Sequence, residues 1–129
     1  MGRELHNPTA LHPAPGFSHI AVATGAQTVY FAGQVALDQE FNVVGGSDLR
    51  AQTVAAMRNV EIAIGEVGVT WNDIVRRTIY TTVPTEFEAI TAGIEQVTGA
   101  AGHPAQTILG VTGLALPGLL IEIEVTASI

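Results

Sequence analysis

The chain has 129 residues and a net charge of −7, with twelve acidic and five basic residues, and this length predicts a single domain over residues 1–129. It contains no cysteine, which excludes disulfides and thiolate nucleophiles, and its basic residues are all arginines, which excludes Schiff-base chemistry on lysine. The acidic balance argues against a nucleic acid partner, because such partners are usually bound by a basic patch.

The first residues, 1–17, contain three prolines and predict an irregular arm. Two strands are predicted next, over 20–23 and 28–35, with a hairpin turn at 25–27. Gly33 interrupts the second of these strands, a position typical of a bulge or of a close approach by another backbone.

The middle of the chain predicts a helix over 47–67, where apolar residues recur at helical spacing and Gly68 follows as the C-terminal cap. Thr70 and Asp73 have the spacing of a short capping box. The β-branched segment 74–83 then predicts a strand.

A second capping box, Thr85 with Glu88, predicts the start of another helix. The apolar residues expected on its inward side are Phe87, Ile90, Ile94 and Val97. Two final strands are predicted over 105–111 and 119–128. The order is that of an α+β domain with two helices on one face of a mixed sheet.

Several predicted strands are apolar on both faces, for example Val29 and Phe31 against Tyr30 and Ala32. The second sheet face therefore needs a cover that the chain does not supply, and packing against other subunits provides one. Only 13% of residues are charged while 47% are hydrophobic, which also favours an oligomer. With no long apolar run and no apolar leader at its start, the chain is expected to be cytoplasmic, without membrane association.

Five short motifs, in order along nearly the whole chain, resemble those of the RidA/YjgF family. They are Gly16-Phe17-Ser18-His19, Phe31-Ala32-Gly33-Gln34-Val35, Gln52-Thr53 with Met57 and Asn59, Pro104-Ala105-Gln106-Thr107, and Leu116-Pro117 with Ile121-Glu122-Ile123-Glu124. The resemblance implies a chorismate-mutase-like fold, a homotrimer around a central β-barrel, and small-molecule clefts between subunits. It also implies the deaminase activity of the family, hydrolysis of reactive imines and enamines without a metal or organic cofactor.

The resemblance also implies which residues form the cleft. Glu122 matches the glutamate placed near the attacking water, and Gly33 matches a glycine whose backbone lines the cleft. The other cleft positions are Phe17, Ala32, Thr91, Gln106, Thr107 and Ile108. Several of them depart from the family pattern, because Phe17 and Ala32 each lack a hydroxyl group that the family carries there.

Gln106 is the largest departure, since it stands where the family has the arginine that binds the substrate carboxylate. A glutamine amide donates hydrogen bonds but carries no charge. The expected function is therefore metabolite binding with at most a weak or altered imine hydrolysis. A non-catalytic binding or regulatory trimer is the alternative, and an endoribonuclease is disfavoured by the acidic charge.

Arg76 and Arg77 are adjacent on a predicted strand, so they point to opposite faces of the sheet. One of them could supply the missing positive charge, although salt bridges to Glu122 or Glu124 are the favoured interpretation. The four histidines match no standard zinc spacing, and no metal site is predicted.

Overall fold

The computed structural model describes residues 2–129, and within them the chain forms a five-stranded sheet, a two-stranded ribbon and two α-helices. The strands are β1 Arg3–His6, β2 Ile20–Ala23, β3 Thr28–Tyr30, β4 Gln34–Val35, β5 Ile74–Thr81, β6 Ala105–Gly110 and β7 Ile121–Ser128. The helices are α1 Leu49–Glu66 and α2 Phe87–Thr98, and a 3₁₀ turn, Trp71–Asp73, precedes β5.

The large sheet has the strand order β3-β7-β5-β6, and β4 also pairs with β7. Strands β5 and β6 are parallel, whereas the other pairs are antiparallel, so the sheet is mixed as predicted. The ribbon consists of β1 and β2 alone.

Both helices pack on one face of the large sheet, here called the inner face. Strand β7 shows the division most simply: Ile121, Ile123 and Val125 are buried on the inner face, whereas Glu122 and Glu124 lie on the opposite, outer face. The core residues contributed by the helices include Met57, Val60, Ile64, Ile90 and Ile94. The α+β prediction is confirmed, and neither helix found in residues 2–129 is long and apolar enough to cross a bilayer.

The hairpin predicted between the strands over 20–23 and 28–35 is wrong. Strand β2 pairs instead with β1, a strand inside the segment predicted as an irregular arm, with Arg3 opposite Ala23. The prolines begin only at Pro8, so residues 3–6 are free to pair. Residues 25–27 do not close a turn because they bind the C-terminus, where Gln27 and Ile129 exchange backbone hydrogen bonds of 2.7 and 2.9 Å.

The two predicted capping boxes had different outcomes. The Thr70–Asp73 box forms, and the Asp73 carboxylate accepts hydrogen bonds from the Thr70 backbone and hydroxyl. The Thr85 box does not form, because residues 83–86 make a turn and α2 begins at Phe87 without a side-chain cap. As a result Phe87 is half-exposed rather than inward.

Two polar side chains of α1 hold the segments that lead into β7 and that follow Gly33. Gln52 is fully buried; its amide donates to the carbonyls of Gly46 and Gly118 and accepts from the Leu120 backbone, at 2.7 to 2.9 Å. Asn59 donates to the carbonyls of Val35 and Leu37 at 2.8 and 3.0 Å. These contacts fix the entry to β7 and the chain that follows Gly33, which explains in physical terms the resemblance found in α1.

Asp73 ties the start of β5 to the N-terminal segment, since its carboxylate also accepts from the Gly2 backbone at 3.2 Å. Burial would raise the pKa of Asp73, but the hydrogen bonds from Thr70 and Gly2 outweigh it, so the net pKa is lowered. A carboxyl whose pKa is lower in the folded state stabilises the protein above the ordinary Asp pKa of about 3.9, and that stability is lost as the pH falls through the folded value.

Replacing Asp73 by Asn is therefore expected to lower the free energy of unfolding by about 1–3 kcal/mol at pH 7, because an amide nitrogen cannot accept these bonds. Urea unfolding of both chains at pH 7 and near pH 3 measures the difference. It should be smaller at the acidic pH, because the stabilisation by a carboxylate with a lowered pKa begins to be lost once the pH falls below the ordinary Asp pKa. A difference that is equal at both pH values would contradict the role given to the carboxylate.

Candidate functional site

Glu122 lies on the outer face of the sheet, near the start of β7. Its backbone is paired on one side with Tyr80 of β5 and on the other with Val35 of β4. The carboxylate lies directly against Gly33, where a built Cβ would be only 2.1 Å from Glu122 Oε2. A residue with a side chain at position 33 would displace this carboxylate, which explains the close approach predicted for Gly33.

Tyr80 and Glu124 complete a polar cluster beside Glu122. The Tyr80 hydroxyl donates to Glu124 Oε1 at 3.1 Å. This hydrogen bond, followed by loss of hydration and the negative charges of Glu124 and Glu122, raises the pKa of Tyr80. The three side chains border an open hollow whose other walls are Val111, Gly113, Leu114 and Ala115. Sequence reasoning did not select Tyr80, although strand alternation with Arg76 places it on the outer face.

A separate pocket of about 260 Å³ lies at the inner edge of the sheet, between the N-terminal arm, α2 and β6. It brings together four of the predicted cleft residues: Phe17, Thr91, Gln106 and Ile108. The remaining lining residues are His12, Pro13, Pro15 and Phe87. The arm is held tightly here, since a Cβ built on Gly16 would lie 2.7 Å from the Thr91 side chain and the φ angle of Gly16 is +78°.

Three predicted cleft residues lie outside this pocket, and one of them, Gly33, is the residue against the Glu122 carboxylate. Thr107 points to the outer face, where its hydroxyl accepts from Arg76 Nη2 at 2.9 Å. Ala32 is exposed between β3 and β4, next to Gly33, and its carbonyl accepts from the Gln34 amide at 3.3 Å.

Arg77 is buried directly behind Gln106. The two residues are paired in register on β5 and β6, and Arg77 Nε donates to Gln106 Oε1 at 2.5 Å. Arg77 Nη2 also donates to the Gly16 carbonyl at 2.9 Å and contacts His103 Nδ1 at 3.0 Å. The expected salt bridges from Arg76 or Arg77 to Glu122 or Glu124 are therefore wrong, since the hydrogen bonds of both arginines go elsewhere.

The charge of Arg77 persists despite its burial. Burial, with a smaller contribution from the positive charge of Arg3, lowers the pKa of Arg77 to about 9, and Glu95 opposes the shift. A group with this pKa remains protonated at neutral pH. Because an arginine only donates, His103 Nδ1 must accept, so its Nε2 proton points to Glu95 Oε2 at 2.9 Å.

The predicted site residues thus fall into two groups on opposite faces of one sheet. Glu122 pairs with Tyr80 on the outer face, whereas Gln106 pairs with Arg77 and Ile108 with Ile79 on the inner face. Side chains on the two faces cannot reach a common small ligand within one chain, because the sheet itself lies between them. The outer-face group around Glu122 and Gly33 is called the carboxylate half-site below, and the pocket around Gln106 the amide half-site.

Comparison with known proteins gives one consistent result. Residues 7–129 match the family model described as endoribonuclease L-PSP. A Yersinia pestis protein of unknown function, YyfB of the conserved Rid family, is 38% identical, with a TM-score of 0.93 and full coverage of both chains.

Two further relatives agree. Rv2704 from Mycobacterium tuberculosis, of the YjgF/YER057c/UK114 family, is 31% identical with a TM-score of 0.67, over 98% of this chain and 99% of that one. The RutC family protein slr0709 of Synechocystis is 28% identical over 92% of each chain. With a family model covering nearly its full length, the chain belongs to the Rid (YjgF) family.

Proposed function

We propose that the chain binds a small metabolite between copies of itself and hydrolyses an imine or enamine there, at a rate or with a preference altered by Gln106. The observation that carries this proposal is the split site. Each half is open and incomplete in one chain, and one copy's carboxylate half-site facing another copy's amide half-site would supply both a base and a ligand pocket. A trimer around a central barrel, the assembly expected from the family resemblance, provides such a contact.

The proposed reaction needs few groups. Glu122 takes a proton from a water molecule as the water oxygen attacks the imine carbon, and it passes this proton to the imine nitrogen, which gives a neutral carbinolamine. Glu122 then takes the proton of the carbinolamine hydroxyl group and passes it to the nitrogen, so the C=O bond forms, the C–N bond breaks and ammonia leaves. The products are a 2-oxo acid and ammonia, so no oxidant and no cofactor is required.

The amide half-site would hold the rest of the substrate. Its walls are mainly apolar, with Phe17, Phe87 and Ile108 around the Gln106 amide and the Thr91 hydroxyl. A pocket of this kind fits a short aliphatic chain that ends in a hydrogen-bond acceptor. Fixing that end relative to Glu122 contributes to the rate by positioning alone.

The direct test is hydrolysis of 2-iminobutanoate, generated in the presence of the native chain and followed as loss of the imine. Light scattering of the same sample gives the oligomeric state. We expect the protein to be an oligomer and to accelerate the loss of the imine over the protein-free reaction. A monomer that accelerates hydrolysis would contradict the shared site, and an oligomer with no effect on any imine would contradict the enzymatic part.

Non-catalytic binding is the second candidate, favoured by how few polar groups the amide half-site carries. It predicts that 2-oxo acids raise the melting temperature while no imine is turned over. RNA cleavage, the activity named in the family description, has no support in the charge of this chain, since twelve acids oppose five arginines.

Replacing Gly33 by Ala tests the candidate site without disturbing the fold. The new methyl group would meet the flexible end of Glu122, so the carboxylate moves while the backbone stays. We expect the melting temperature to change little and imine hydrolysis to fall about 10- to 100-fold, because the base is displaced. Gly113→Ala is the matched control, since a Cβ there meets nothing within 4 Å although the residue borders the same hollow. Equal losses in both variants would contradict this assignment.

A further inference from the structure

We propose that Arg77, acting through Gln106, gives the amide half-site its selectivity for a carboxylate, an inference that rests on the ligand pocket of the proposed function. The family resemblance places an arginine at position 106, and this chain lacks it. A guanidinium is nevertheless present one strand away, in register with position 106. In this chain the positive charge lies on Arg77, behind the pocket wall, and Gln106 is the residue that contacts the ligand.

The orientation of the Gln106 amide follows from this contact. Arginine has no acceptor atom, so the Gln106 atom that receives the hydrogen bond from Arg77 Nε must be the oxygen. The Gln106 NH₂ group is then left as the donor end of the side chain that lines the pocket. A charged donor on the amide oxygen also polarises the amide, so its NH₂ group becomes a stronger hydrogen-bond donor.

The charge of Arg77 is not neutralised by a direct partner. Its hydrogen bonds go to Gln106, the Gly16 carbonyl and His103, which are all uncharged in the tautomer that the contacts require. Among residues 2–129 no carboxylate oxygen lies within 4.0 Å of its guanidinium, and Glu95 is reached only through His103. The eight residues that line the pocket include no acid. Arg77 itself does not line the pocket, so an anion bound there would face this buried cation across the Gln106 side chain.

Arg77 also fixes the shape of the pocket. One guanidinium binds both Gly16, which lies between the lining residues Pro15 and Phe17, and Gln106 on β6. Two walls of the pocket are thereby held by the group that supplies its charge. The ligand class that this arrangement recognises is a small aliphatic carboxylate, and the matched neutral amide should bind poorly.

The experiment measures binding rather than turnover, so that its failure can be told from failure of the proposed hydrolysis. The probes are 2-oxobutanoate and 2-oxobutanamide, titrated by calorimetry into the native oligomer and four variants: Arg77→Gln, Gln106→Glu, Gln106→Arg and the exchange of both residues, Arg77→Gln with Gln106→Arg. Melting temperature and light scattering check that each variant is folded and assembled.

Arg77→Gln is expected to weaken 2-oxobutanoate about 10- to 100-fold more than 2-oxobutanamide, since both probes lose the pocket shape that Arg77 holds but only the charged probe also loses an attraction. Gln106→Glu is expected to abolish carboxylate binding while raising the melting temperature, because the new carboxylate pairs with Arg77. That variant keeps the test valid if Arg77→Gln does not fold. Gln106→Arg alone places two guanidinium groups in contact and should not improve the binding of 2-oxobutanoate. The exchange of both residues removes this repulsion and should bind 2-oxobutanoate as the native chain does.

Equal affinity of the native chain for the two probes would overturn the proposal, as would a gain in affinity from Gln106→Arg alone. Selective carboxylate binding without any imine hydrolysis would support the role of Arg77 and reject the enzymatic function. Imine hydrolysis whose KM does not change in Arg77→Gln would support the enzymatic function and reject the role of Arg77.

Discussion

Replacing Glu122 by Gln is expected to lower the rate of 2-iminobutanoate hydrolysis by about 10²–10⁴-fold, the usual contribution of a positioned general base. Glutamine has nearly the same size and keeps the contact with Gly33, but its amide cannot take the proton from water. Binding of 2-oxobutanoate should change little, because the carboxylate is held in the other half-site. The measurement is the initial rate of imine loss at matched oligomer concentration.

Glu124→Gln is the matched control for this experiment. Glu124 lies two residues along β7 on the same face, and its carboxylate accepts the hydrogen bond of Tyr80. We expect its rate to stay within about threefold of the native value, since it is not the group against Gly33. A loss as large as that of Glu122→Gln would mean that the two carboxylates and Tyr80 act as one unit. Full activity in Glu122→Gln would remove Glu122 from the mechanism.

Local patterns predicted those parts of the fold that local physics determines. The apolar spacing of α1, the Thr70–Asp73 box and the β-branched segment of β5 all correspond to the structure, since each depends on residues close in sequence. The hairpin failed because the partner of residues 25–27 is the C-terminal residue, about a hundred positions away. A turn motif contains no information about a distant segment that binds the same backbone groups.

The candidate site shows the same limit. Glu122 and Gly33 could be selected by resemblance, and their contact in the structure gives a physical reason for the pairing. Arg77 could not be assigned, because its role depends on the parallel register that places it beside Gln106. Adjacent arginines on a strand indicate only that one faces each side. Which of them meets a carboxylate, an amide or a hydroxyl is decided by the neighbouring strands.

The separation of the two half-sites has a consequence for mixed oligomers. If each active site takes Glu122 from one copy and Gln106 from another, two inactive variants can restore each other. The Glu122→Gln chain keeps an intact amide half-site, and the Gln106→Glu chain keeps an intact carboxylate half-site. At an interface of the right orientation the two intact halves meet.

Co-expression of these two variants with different affinity tags, followed by purification through both tags, gives the mixed oligomer. If the oligomer is the expected cyclic trimer, every trimer that carries both tags has both intact halves at about one of its three interfaces, so hydrolysis should recover to about a third of the native rate. Mixing the separately assembled variants without subunit exchange is the control and should stay inactive. If the mixed oligomer is as inactive as its parents, the site lies within one chain. That result would require the sheet to open, because its two faces otherwise keep Glu122 and Gln106 apart.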